Sequence, residues 1–72
     1  MFRVNMFDEY DVVEATRQLS DNVPAGSIGT VLIVFTKPSV AYEVEFTRGI
    51  ETLDLLTVLD ADIVLYQRSV AR

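Results

Sequence analysis

The sequence predicts an all-β domain, a small five-stranded barrel with a single helical turn before its last strand. Three observations carry that expectation. Polar breaks recur about every eight to twelve residues along the 72-residue chain, the spacing of a compact meander of short strands. The strongest apolar run, at 28–35, is β-branched at five of its eight positions and aromatic at a sixth, a composition that suits a pleated surface. Residues 40–46 alternate apolar and polar with period two, the mark of a half-buried strand.

Residues 1–9 read as a flexible or helical lead-in, 10–67 as the barrel and 68–72 as a fraying tail. Strand one is expected at 10–16, a short β-branched run. Ser20, Asp21, Asn22 and Pro24 then concentrate turn formers, so 18–25 reads as a long loop. Strand two is 28–35, with Gly26 and Gly29 placed where a sheet needs positive φ or a bulge to coil. Lys37-Pro38 marks a turn. Strand three, 40–46, puts Val40, Tyr42, Val44 and Phe46 on one face and Ala41, Glu43 and Glu45 on the other.

Strand four is expected at 51–56. A four-residue loop at 47–50 would pair Val44 with Leu53 and Tyr42 with Leu55, apolar against apolar, and set Glu43 opposite Asp54. A three-residue loop would bring Asp54 opposite Tyr42 on the core face, which the cost of burying a charge disfavours. A helical turn at 59–61 and a last strand at 62–66 complete the count. Five short strands, a long loop after the first and one turn before the last are the element order of an SH3-like barrel, whose closure protects its strand edges. An OB-fold would place a proper helix between strands three and four, and none fits.

A chain this short lies near the lower size limit for a core that is stable alone. It has no cysteine for disulfides, and without histidine it also lacks the usual zinc ligands. Self-association is the remaining common support. Half the residues are hydrophobic, more than so small a core hides, which leaves apolar surface over. Eleven acidic against six basic residues give a formal charge of −5. That charge repels nucleic-acid phosphates and anionic lipid and favours a basic partner. No apolar run approaches the roughly 20 residues of a membrane span, and residues 1–6 lack a signal-peptide core, so the expectation is a cytoplasmic protein without membrane or nucleic-acid partners.

The spaced residues Tyr10-Asp11-Val12-Val13, Ala25-Gly26-Ser27-Ile28-Gly29-Thr30-Val31, Ala41-Tyr42-Glu43-Val44-Glu45-Phe46, and Thr52 with Leu56-Thr57 resemble a family of short bacterial proteins known as domain of unknown function 4926. The resemblance runs from about residue 7 to 65. It implies an SH3-like barrel and carries no activity, cofactor or catalytic residue. Similar pieces occur in the small photosystem subunit that docks ferredoxin and in the nitrile hydratase β-subunit, which are analogies of fold and not of function.

The candidate residues form three groups. Asp8, Glu9, Asp11 and Glu14 make an acidic stretch, read as a solvated face. Glu43, Glu45 and Asp54 are expected to share the outer face, too flat to supply the six or more oxygens of a calcium site. Val31, Ile33 and Phe35 lie on one side of strand two and Ile28, Thr30, Leu32 and Val34 on the other, and only one side enters the core. The first trio is the expected oligomer interface, unless Phe2, Met6 and Phe7 of the lead-in cover it. No serine or threonine stands beside an evident base, the glycines precede a strand instead of a phosphate-binding helix, and no tryptophan lines a proline-peptide groove. No enzyme, metal or cofactor is therefore expected. The leading expectation is a self-associating interaction module, a dimer or tetramer. The alternatives are an acidic immunity-type protein that neutralises a basic partner and a small-ligand binder at a subunit interface.

Overall fold

The structure, a computed structural model, describes residues 6–69. Its strands are β1 (Val12–Ala15), β2 (Ile28–Phe35), β3 (Ala41–Arg48), β4 (Glu51–Val58) and β5 (Ile63–Gln67), with one 3-10 turn at Asp60–Asp62. They form a single antiparallel sheet in the order β4-β3-β2-β1-β5. All five strands and the turn before the last agree with the sequence reading. The lead-in at 1–5, with Phe2, and the tail at 70–72 lie outside the described residues.

The sheet curls without closing. In a flat sheet β4 and β5 would lie four strand spacings apart, about 19 Å. Val58 and Ile63 are joined by only four residues, whose full extension reaches about 18 Å, and yet both side chains belong to the same buried cluster. The curl brings the two edges toward each other, but no ladder joins them among the described residues. The expected closure of the barrel is therefore corrected to an open sheet. Among the described residues, each of β4 and β5 has one edge without a strand partner.

One face of the sheet carries the core: Val13, Ala15, Val31, Tyr42, Val44, Phe46, Val58 and Ile63, joined by Phe7 from the lead-in and Val23 from the long loop. The loop is thus not merely a connection. Leu19 and Ser20 bond Val23 through the backbone, and this small hairpin drives Val23 into the core. Gly29 has a different reason. It lies opposite Phe46, and a Cβ there would approach Val44 Cγ1 to 2.6 Å and Phe46 Cδ1 to 2.8 Å. The bare backbone makes room for the aromatic ring.

Three bulges set the faces, at Leu32 against β3, at Leu53 against β3 and at Tyr66 against β1. Each inserts one residue, and so reverses which side chains point to the core beyond it. The hairpin from β3 to β4 turns in two residues, Gly49-Ile50, with Gly49 at φ +61°, and not over the expected four. The resulting register pairs Val44 with Leu56 and Tyr42 with Val58. It differs by three places from the expected one, and because three is odd, β4 presents the opposite face. No helix among the described residues is long and apolar enough to cross a membrane.

Candidate functional site

Two of these bulges, at Leu32 and Leu53, shape the outer face of β2, β3 and β4. Before the bulge, Gly29 and Val31 point to the core, and Val31 is 0% exposed beside Val44. After it, Val34 faces Tyr42 on the core side, while Ile33 and Phe35 turn outward opposite Glu43 and Ala41. Ile33 is 45% and Phe35 39% exposed. The expected trio is thus divided: Val31 is a core residue, and only Ile33 and Phe35 remain available for contact.

The acidic group divides in the same way. Glu43 and Glu45 point outward, where Glu43 accepts from Thr57 Oγ1 and Glu45 from Thr52 Oγ1, each at 2.7 Å. Among the described residues neither has an ion-pair partner. Asp54 does not join them. The β4 register sets it opposite Phe46, on the core side, where it accepts from Ser20 Oγ at 2.8 Å and helps hold the long loop. The place expected of Asp54 is taken by Leu55, which sits opposite Glu45 and is exposed. The outer face therefore combines Ile33, Phe35 and Leu55 with two carboxylates.

Phe7 does not cover this face. It enters the core, where its ring meets Tyr42 edge-on at 5.3 Å, while Met6 is exposed. Tyr42 Oη donates to Asp60 at 2.6 Å and accepts from the Met6 N–H at 3.0 Å. Burial, reinforced by the hydrogen bond to Asp60, pushes the Tyr42 phenol above its usual pKa.

Asp11 is also placed differently from the sequence reading. It is fully buried, and it accepts from Ser69 N–H at 2.7 Å, Asp8 N–H at 2.9 Å and Arg68 Nη1 at 3.3 Å. It ties the start of the domain to its end and is no part of a solvated stretch. A signal for this was present, because Asp11 shares its parity with Val13 and Ala15, both on the core face of β1. Beside it Tyr10 holds φ +70°, a strained conformation for a bulky residue, and its N–H donates to Val31 O at 2.6 Å.

The described residues include no group of three acidic side chains placed to hold a metal ion. Grooves among the described residues include one of about 500 Å³ between Pro24–Ile28 and the β3–β4 turn, one of about 530 Å³ where Asp21 and Asn22 approach Glu51 and Thr52, and one of about 350 Å³ beside β5, where Met6, Phe7, Ile63 and Leu65 meet Arg68.

Residues 9–64 match the family model described as Domain of unknown function (DUF4926), and the chain belongs to that family. No curated protein and no solved structure matches it.

Proposed function

We propose that this member of the DUF4926 family is a non-enzymatic interaction module that self-associates over the outer face of β2. The observation that supports this reading is the pair Ile33 and Phe35, two large apolar side chains turned out of the monomer by a bulge that keeps Val31 inside. A small core gains from any further apolar burial, and a two-fold contact is the commonest way to obtain it. The meander order and the turn before β5 favour an SH3-like reading of the curled sheet. Light scattering on the purified protein should report a homo-oligomer, and Ile33→Lys should lower its mass while leaving the circular dichroism spectrum unchanged. A wild-type monomer at roughly tens of micromolar overturns the reading.

A basic partner is a second reading, favoured by Glu43 and Glu45. Among the described residues neither carboxylate has an ion-pair partner, and Glu43 lies opposite Ile33 and Glu45 opposite Leu55, a setting that suits a cationic side chain flanked by apolar ones. Its mark would be a basic protein that co-purifies in a salt-sensitive complex lost on Glu43→Lys.

A further inference from the structure

We propose that residues 6–8 and 68–69 form one clasp, latched on the Asp11 carboxylate, that opens as a unit while the sheet stays folded. The inference stands apart from the self-association reading.

The latch belongs to the sheet, and its donors do not. Asp11 continues the pairing of β1 with β2: its C=O accepts from the Val31 N–H at 2.9 Å, and the neighbouring Tyr10 N–H donates to Val31 O. Its carboxylate is buried, and the donors that reach it come from two segments outside every strand. The Asp8 N–H arrives from one side, and the Ser69 N–H and Arg68 Nη1 arrive from the other.

Sharing one acceptor couples the two segments. A buried carboxylate is tolerable only while hydrogen bonds replace its water. When either segment leaves, water reaches Asp11 and competes with the donor that stays, so loss of one side weakens the other. Arg68 strengthens the link, since it approaches Asp8 at 3.9 Å as well as Asp11 at 3.3 Å.

Backbone strain marks the hinge. The Asp11 N–H donates to Asp8 O at 3.1 Å and closes a turn over residues 8–11, with Tyr10 at its third position and at φ +70°. Glycine or asparagine suits that position, and a tyrosine there holds strain that is released when residues 6–8 swing away. The strain favours the open clasp, and the donors gathered on Asp11 oppose it.

The clasp also walls the groove of about 350 Å³ beside β5, through Met6, Phe7 and Arg68. Phe7 packs edge-on against Tyr42, and the Met6 N–H donates to Tyr42 Oη. Opening therefore removes one wall of the groove and bares the Tyr42 ring, which is buried while the clasp is closed.

Hydrogen exchange of the wild-type protein in low urea tests the clasp. The Asp8 and Ser69 amides should share one opening, at least about tenfold more frequent than the opening that exposes the Val44 amide in β3 and less dependent on urea, because it uncovers less surface. Ser69→Pro removes one donor outside every strand, and it should speed exchange of the Asp8 amide by at least about fivefold. Tyr10→Asn, which tolerates positive φ, should slow that exchange. Asp8 and Ser69 amides that open only together with Val44, at its urea dependence, overturn the clasp as a separate unit. An Asp8 amide indifferent to Ser69→Pro overturns the coupling through Asp11, and one no slower in Tyr10→Asn overturns the role of strain. The wild-type urea dependence decides the first point even where a variant does not fold.

Discussion

β2 and β3 are neighbours of equal length, yet they differ in how their side chains choose a face. In β3 the alternation is unbroken, and Tyr42, Val44 and Phe46 are all buried while Glu43 and Glu45 turn out. In β2 the faces are first Gly29 and Val31 to the core, then, past Leu32, Val34 to the core with Ile33 and Phe35 outward. A strand that is polar on alternate positions declares its faces, because each carboxylate resists burial. One that is apolar throughout accepts either face, and the inserted residue that chooses between them leaves no mark in a hydrophobic pattern.

Single-residue deletions break this comparison most severely. Removing Glu43 from β3 reverses Tyr42 relative to Val44 and Phe46 and should abolish cooperative unfolding, since one ring and its hydrogen bonds leave the core. Removing Leu32 from β2 deletes the extra residue of the bulge, keeps Val31 and Val34 on the core side, and should leave a folded protein with a lower melting temperature. Thermal melts followed by circular dichroism distinguish the two, and an unfolded Leu32 deletion would show that the bulge is indispensable to the curl.

A smaller effect is expected where the two strands touch. Gly29→Ala drives a Cβ against Val44 and Phe46, with Glu45 O also at 3.0 Å, so backbone or ring must shift. Overpacking of this kind costs about 1 to 3 kcal/mol, readable as a lower denaturant midpoint. An unchanged midpoint would mean that β2 and β3 separate there at little cost.

The smallest effect concerns the end of β3. Tyr42→Phe removes the bonds to Asp60 and Met6 and should cost about 1 kcal/mol near neutral pH. Because the folded-state phenol titrates above its unfolded value near 10, the stability linked to it is fully present below pH 10 and is lost as pH rises toward the higher folded pKa. The wild type should therefore lose its advantage over Tyr42→Phe in alkaline denaturant titrations, and a constant difference up to pH 11 would contradict that burial.

Much of the architecture was legible in the chain. The count of strands, the turn before β5 and the buried side of β3 follow from β-branched composition and period-two alternation, both local properties. Register was not legible. It depends on the length of the turn at Gly49-Ile50 and on the bulges at Leu32 and Leu53, where a single residue exchanges Asp54 and Leu55 between core side and outer face. Asp11 shows the same limit from the other direction, since its parity pointed inward while its charge argued for water, and only the Ser69, Asp8 and Arg68 donors gathered around it make burial tolerable. By itself the sequence determined which segments become strands and where charge resists burial. The tertiary structure alone decided which apolar residues of β2 and β5 were left without a cover, because that depends on how strands far apart in sequence align, and a shift of one residue reverses every side chain beyond it.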